Sequence, residues 1–164
     1  MKTLCAIVVV DQNWGIGMGG DQLIYLPSDL KRFQSLTTGH GVVLGRKTLS
    51  TFPHAKPLPR RTNYILSSDP SFEVEGGVVC RSVDEFLERA SEDTVFVIGG
   101  GTVYEQLLPL CSKVYVTKIA HSYQADCFFP NLDDHPDWVE ISEEISPPIE
   151  EKGVSYSYIT YYRP

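Results

Sequence analysis

The sequence lacks any long apolar segment, any closely spaced cysteine pair and any surplus of positive charge. Its longest hydrophobic run, Leu4-Cys-Ala-Ile-Val-Val-Val10, stops at Asp11. That is too short for a secretory core with its cleavage site, and far too short to span a bilayer. It reads as a buried strand. The four cysteines, Cys5, Cys80, Cys111 and Cys127, form no CxxC, and three lie in or beside apolar runs. Disulfide staples are therefore not expected. The four histidines, His40, His54, His121 and His135, show no metal-ligand spacing, so no metal is expected. Lys+Arg number 14 against 21 Asp+Glu, for a net charge of -7. A general nucleic-acid or anionic-membrane surface needs the opposite field. These absences predict a cytoplasmic protein that binds no nucleic acid and no membrane.

What is present is ordinary globular material. The chain has 164 residues, 42% hydrophobic and 21% charged. That length fits one domain, residues 1–164, which should bury roughly 70% of its unfolded surface. No long exposed apolar stripe asks for a partner, so a monomer is expected.

Strand-like runs occupy Leu4–Val10, Gly41–Leu44, Asn63–Leu66, Gly77–Cys80, Val95–Ile98, Val114–Ile119, Trp138–Ser142 and Val154–Tyr162. Those from Gly41 to Ile119 are continuously apolar, as strands covered on both faces are. The last alternates and is aromatic, which suits an antiparallel strand. Helices fit between them. Pro27 opens one, with Leu30, Phe33 and Leu36 as its apolar stripe and Gly39 beyond its end. Ser82-Val-Asp-Glu85 is a capping box. A third helix runs from about Thr102 to Leu108 and stops at Pro109. The order predicts an α/β fold: a mainly parallel central sheet, an antiparallel C-terminal strand and helices on both faces.

Gly15-Ile-Gly-Met-Gly-Gly20 matches the dinucleotide fingerprint in letters only. That fingerprint needs a helix at once and an acid about 20 residues on. Here Pro27 comes first, and residues 34–45 contain no Asp or Glu. The stretch reads instead as a flexible lid loop at a strand's carboxyl end. Two other junctions suit anions. Val42-Val-Leu-Gly-Arg-Lys-Thr48 turns a strand straight into a helix at Gly45, with Arg46 and Lys47 beside it. Val95-Phe-Val-Ile-Gly-Gly-Gly-Thr-Val-Tyr-Glu105 places three glycines at a second junction, where a pyrophosphate can meet bare backbone. Ser67, Ser68 and Arg81 follow two further strands. With Arg46 and Lys47 they form a cluster suited to the extra phosphate of NADP rather than NAD.

Asp29 lies in the first turn of the helix opened by Pro27, beside the apolar Leu26, Leu30 and Phe33. Complementing the helix dipole is one reading. A sheltered carboxylate that holds a charged partner or serves proton transfer is the other. Pro57-Leu-Pro-Arg-Arg61 offers arginines to a carboxylate, or is a solvated basic turn. Thr117 near a strand end, and Trp14 and Trp138, read most simply as structural.

Taken in order, these blocks resemble the dihydrofolate reductase family over essentially the whole chain. The blocks are Gly15-Ile-Gly17, Leu26-Pro-Ser-Asp-Leu-Lys-Arg-Phe33, Val43-Leu-Gly-Arg-Lys-Thr48, Pro57-Leu-Pro-Arg-Arg61-Thr-Asn, Leu66-Ser-Ser68, Val97-Ile-Gly-Gly-Gly-Thr-Val-Tyr-Glu105, Tyr115-Val-Thr117 and Asp126-Cys-Phe-Phe-Pro130. The resemblance implies reduction of dihydrofolate by NADPH, with hydride transfer to C6 and protonation at N5, and binding of antifolate inhibitors. It implies that Asp29 holds the pterin's amidine-like edge and supports N5 protonation, with Thr117 reaching the same carboxylate. Phe33 would pack on the substrate rings, with Leu30, Phe52 and Leu58 as apolar walls. Arg61 would clamp the α-carboxylate of the glutamate tail. Cys5 and Ile98 would offer backbone carbonyls to the pterin amino group. NADPH contacts would come from Ala6, Ile7, Ile16, Gly17, Gly45, Arg46, Lys47, Thr48, Leu66, Ser67, Ser68, Arg81, Gly100, Gly101, Thr102, Val103 and Tyr104.

The chain departs from that pattern in places. Gln22-Leu-Ile-Tyr25 stands where Leu-Pro-Trp is usual, so Ile24 removes an indole N–H that normally holds a water. Cys127 replaces a usual threonine. Thr102 replaces a common arginine, which shifts phosphate contacts onto Arg46, Lys47 and Arg81. Two alternatives stay open on sequence: a fold-related NADPH reductase acting on a pyrimidine of riboflavin synthesis, and a silent folate- or nucleotide-binding module.

Overall fold

The computed structural model describes residues 2–141 and 144–164. In chain order its strands are β1 (Thr3–Val10), β2 (Gly15–Gly17), β3 (Gly41–Gly45), β4 (Thr62–Leu66), β5 (Gly77–Cys80), β6 (Thr94–Gly99), β7 (Lys113–Ile119), β8 (Cys127–Phe128), β9 (Val139–Glu140), β10 (Ile149–Glu151) and β11 (Val154–Tyr162). The helices are α1 (Pro27–Thr37), α2 (Arg46–Leu49), α3 (Val83–Arg89) and α4 (Gly101–Leu107). The main sheet follows the order β10-β11-β7-β1-β6-β3-β4-β5. From β7 to β5 every pairing is parallel. Strand β11 runs antiparallel to β7, as its alternating aromatic sequence predicts.

Period-two alternation divides the sheet residues between two faces. Leu4, Ala6, Val8 and Val10 of β1 join Val95 and Val97 of β6 under α3 and α4, which contribute Phe86, Val103, Tyr104 and Leu107. Cys5 faces the other way with Val42, Leu44 and Phe96, covered by Leu49 of α2. Ile7, Leu36, Phe52, Leu58, Ile98 and Tyr115 pack around this second cluster only half-buried. One face is thus closed by helices, while the other leaves an apolar margin open.

The local signals act as their chemistry requires. Pro27 occupies the first turn of α1, and Gly39 takes φ 86° just beyond its end. Ser82 Oγ accepts from Glu85 N at 3.1 Å at the start of α3. Helix α4 passes into a 3-10 turn, Leu108–Leu110, that contains Pro109. Both tryptophans are buried, and Trp14 stacks on Phe129 at 6.3 Å.

Several expectations are corrected. Gly15–Gly17, expected as loop, is a short strand paired with β8. The stretch at Trp138–Ser142 is a strand only at Val139–Glu140, and Ser142 lies outside the described residues. Strand β10 was not anticipated, because Ile149-Glu-Glu reads as polar loop. Strand β5 is half-exposed at the edge of the sheet rather than covered on both faces. Leu30 does not face the core. It is 44% exposed, at the rim of the open margin.

Asp11, at the end of β1, organises the segment that follows. Its fully buried carboxylate accepts from Asn13 N at 2.9 Å, Gly15 N at 2.8 Å and Tyr123 N at 2.9 Å. Beside it, a side chain at Gly15 would meet Ala125 Cβ at 2.8 Å. An Asp11→Asn variant keeps the shape but turns an amide N–H₂ toward a backbone N–H. It should lose roughly 1–3 kcal/mol of stability, read by urea denaturation. Wild-type stability in that variant would show that the carboxylate does not anchor the loop.

Candidate active site

Helix α1 delivers Asp29 to the open face, and β7 delivers Thr117. Along β7, Val114 and Val116 enter the helix-covered core while Tyr115 and Thr117 point to the other side. Thr117 is buried inside β7, not spare at an edge. Its Oγ1 donates to Asp29 Oδ1 at 2.6 Å. Burial pushes the Asp29 carboxyl above its ordinary range; the Thr117 hydrogen bond and the Arg32 charge pull it back, and Glu151 adds repulsion. The dipole-cap reading of Asp29 is therefore insufficient. The first turn of α1 is served instead by Glu151 of β10, whose carboxylate accepts from Ser28 N at 3.2 Å and Ser28 Oγ at 2.7 Å.

The open face carries apolar side chains and a held arginine, Arg61. Phe33 and Leu30 come from α1; Phe52, Leu58 and Ile98 border the Cys5 cluster. Cys5 itself is 4% exposed, and burial pushes its thiol up, so it stays a neutral packing group. The β3–β6 register slips between Val43 and Leu44, opposite Val97 and Gly99. That irregularity leaves Ile98 out of the ladder toward β3 and frees its backbone for other contacts.

Arg61 is held rather than solvated. Its Nε donates to Pro59 O at 2.9 Å and its Nη1 to Thr37 Oγ1 at 3.0 Å. The guanidinium carbon lies 6.0 Å from the Phe33 ring centroid. Asn63, buried in β4, fixes the turn by bonding Leu58 N and Leu58 O at 2.9 Å each and Arg61 O at 3.1 Å. Such preorganisation suits a carboxylate ligand.

The two glycine junctions open side by side, because β3 and β6 are parallel neighbours. A Cβ on Gly45 would reach Val103 Cγ2 at 3.2 Å, one on Gly100 would reach Thr48 Oγ1 at 3.2 Å, and one on Gly101 would strike Cys127 Sγ at 2.5 Å. A side chain at Gly101 forces Cys127 aside, while at Gly45 or Gly100 the facing Val103 or Thr48 side chain must give by a few tenths of an ångström. Gly99 adopts φ 120°, which an ordinary side chain resists. Beneath them Tyr104 is buried and its hydroxyl donates to Ile7 O at 2.6 Å. Burial pushes this phenol far up, so it stays protonated and keeps that donor. Val103 is buried alongside, and Thr102 is exposed at the start of α4.

Of the expected phosphate cluster, Arg46 and Arg81 meet at the Asp69–Phe72 segment. Arg46 pairs with Asp69 at 3.0 Å and lies 4.3 Å from the Phe72 ring centroid. Arg81 Nη2 donates to Pro70 O and Phe72 O, both at 3.1 Å, while its Nη1 is buried without a hydrogen-bond partner among the described residues. Lys47 and Ser68 are exposed; Ser67 and Leu66 are half-buried at the end of β4. An orphan buried guanidinium N–H beside a backbone cradle fits a phosphorylated dinucleotide. Ala6 is buried in β1, whereas Ile16 and Gly17 belong to β2. Ile24, at the usual tryptophan position, packs against Leu26, Ile119 and Tyr156.

Sequence reading overlooked Arg32, Asp69 and Glu151. Arg32 and Glu151 had weak signals only: helical spacing from Asp29, and an acid in a turn after a proline pair. Asp69 directly follows Ser68 but was absorbed into the loop.

The sequence matches the dihydrofolate reductase family over residues 3–163. It is 35% identical over 156 residues to dihydrofolate reductase of Bacillus subtilis (strain 168), covering 94% of this chain and 91% of that one. It is 36% identical over 151 residues to the Staphylococcus aureus protein of that name, covering 92% and 91%. A solved structure, dihydrofolate reductase from Enterococcus faecalis complexed with NADP(H) and RAB-propyl, superposes with TM-score 0.87 at 33% identity. It covers 98% of this chain and 96% of its own.

The raised carboxyl of Asp29 has a consequence for stability. A folded-state pKa above the unfolded one adds stability only while the group is protonated, and that contribution fades as pH rises through the folded pKa. Asp29→Asn should therefore raise the melting temperature at pH 7, by roughly a few degrees, and confer no such gain near pH 3. Melting scans at the two pH values check this. A lower melting temperature at pH 7 would contradict the buried-charge account.

Proposed function

Because this chain belongs to the dihydrofolate reductase family and reduces dihydrofolate with NADPH, we propose that Asp29, backed by Thr117, is the group on which turnover depends. The observation that carries the reading is the 2.6 Å Thr117–Asp29 hydrogen bond in an apolar crevice. Thr117 occupies Oδ1 and leaves Oδ2 to grip the pterin's amidine-like edge. A carboxylate so held favours a protonated reacting state, and an ordered water can carry the proton to N5. NADPH, when bound, supplies the hydride that reaches C6. Gly45, Gly100 and Gly101 let the backbone approach the cofactor, and Arg46, Arg81, Ser67 and Ser68 hold its extra phosphate. The remaining expected contacts, Ala6, Ile7, Ile16, Gly17, Lys47, Thr48, Leu66, Thr102, Val103 and Tyr104, line or brace that cradle.

The substrate's rings pack between Phe33 and the walls formed by Leu30, Phe52, Leu58 and Ile98, which exclude water from the reacting centre. Arg61 takes the α-carboxylate of the tail. Cys5 and Ile98 present backbone carbonyls to the amino group, and antifolates occupy the same crevice. Of the segment from Gly15 to Asp21, the Met18–Asp21 turn closes over the site as a lid, with Gly15–Gly17 held on β8 as its base. The protein acts as a cytoplasmic monomer of one domain, residues 1–164. No helix among the described residues is long and apolar enough to cross a membrane.

Asp29→Asn is expected to slow turnover at pH 7 by roughly a hundredfold to ten-thousandfold, with partial recovery in acid as the substrate protonates in solution. Loss of NADPH absorbance on adding dihydrofolate measures it; undiminished turnover at pH 7 refutes the assignment. Arg61→Leu should raise KM for dihydrofolate by roughly tenfold or more, while single-turnover hydride transfer at saturation is largely kept. An unchanged KM would put the clamp elsewhere.

A further inference from the structure

Arg32 stands one helical turn beyond Asp29 on α1, so both side chains leave the same face of the helix. It does not extend into water. Its guanidinium carbon lies 4.0 Å from the ring centroid of Tyr158 on β11 and 5.9 Å from that of Tyr115 on β7. One of its nitrogens, Nη1, is buried. Stacking on an aromatic face suits a guanidinium, which is weakly hydrated and keeps its charge when desolvated.

The surroundings explain why a fixed cation matters there. Asp29 is faced from α1 by Arg32, from β7 by Thr117, from β10 by Glu151, from β11 by Tyr156 and Tyr158, and from α4 by Tyr104. Of these, Glu151 repels a carboxylate, the tyrosines are neutral, and Thr117 offers one hydrogen bond. Arg32 is the positive charge in the set. We propose that Arg32 is a positioning residue for the reaction: clamped on Tyr158, it supplies the counter-charge that keeps Asp29 anionic and ready for the pterin. This rests on the reading of Asp29 given above. Burial alone would drive Asp29 toward its neutral acid, which grips a cationic partner less well. Arg32 opposes that drift from one helical turn away, without consuming the Oδ1 and Oδ2 oxygens. Burial pulls the Arg32 guanidinium down from its usual range, and Tyr158, Asp29, Tyr115 and Glu144 around it oppose that pull.

The test is a titration of unliganded protein carrying ¹³C-carboxyl aspartate, followed by NMR. The Asp29 resonance is the one missing from Asp29→Asn. In Arg32→Gln its midpoint should move to higher pH by roughly half a unit or more, and Arg32→Lys should bring it back most of the way. Tyr158→Leu, which removes the platform but leaves the charge, should move it in the same direction. An Asp29 midpoint that stays put in folded Arg32→Gln overturns the proposal. If Arg32→Gln does not fold, an unmoved midpoint in Tyr158→Leu overturns it. The titration needs no turnover, so the two readings fail separately. A shifted midpoint with a fully active Asp29→Asn sinks only the catalytic role, and an unmoved midpoint with an inactive Asp29→Asn sinks only the Arg32 role.

Discussion

The hydrogen bond from Thr117 Oγ1 to Asp29 Oδ1, 2.6 Å long, joins the first turn of α1 to β7, the outermost parallel strand on the β11 side of the main sheet. A carboxylate in that position loses water it would otherwise hold, and the loss is offset only in part by one hydroxyl and one guanidinium. Proteins keep such arrangements where the unsatisfied capacity is used by a ligand. The elements around it serve to hold it still. Glu151 ties the start of α1 to β10, Thr37 ties its end to Arg61, and Tyr158 receives Arg32. The helix therefore carries the acid near its start and braces Arg61 through Thr37 at its end, with Phe33 between them.

The side proposed for the cofactor obeys a different logic, since it is built from missing side chains. The junctions after β3 and β6 lie next to each other only because those strands are hydrogen-bonded neighbours. Gly45, Gly100 and Gly101 leave no room for a Cβ without displacing Val103, Thr48 or Cys127. The charges that complete the cradle come from Arg46 and Arg81, and both are drawn to the Asp69–Phe72 segment. In the proposed reading, the two halves of the chemistry meet at the carboxyl ends of the parallel strands.

Much of this was legible in the residues. Continuous apolar runs marked the central strands, Pro27 and Gly39 bracketed α1, and Ser82 with Glu85 marked the start of α3. The glycine junctions and the cluster of Arg46, Ser67, Ser68 and Arg81 were visible as patterns, and the ordered motifs made the family plain. Pattern fell short where contacts are long-range. Leu30 fits a core stripe by spacing, yet the sheet leaves that flank open. Thr117 looks like any strand residue until α1 is laid across it. Glu151, Asp69 and Arg32 sit in charged or polar stretches that periodicity treats as solvent-facing. Asp11 closes its hydrogen bonds partly through Tyr123, far along the chain. Short pieces such as β2 and β10 exist only because another strand is present to pair with them.

A crystal structure of the protein with dihydrofolate and oxidised cofactor bound is the most direct trial of the central claim. The account requires the pterin edge within hydrogen-bonding distance of the Asp29 carboxylate, with Thr117 still donating to it and the tail carboxylate at Arg61. A pterin seated elsewhere, with Asp29 turned out to water, would contradict it.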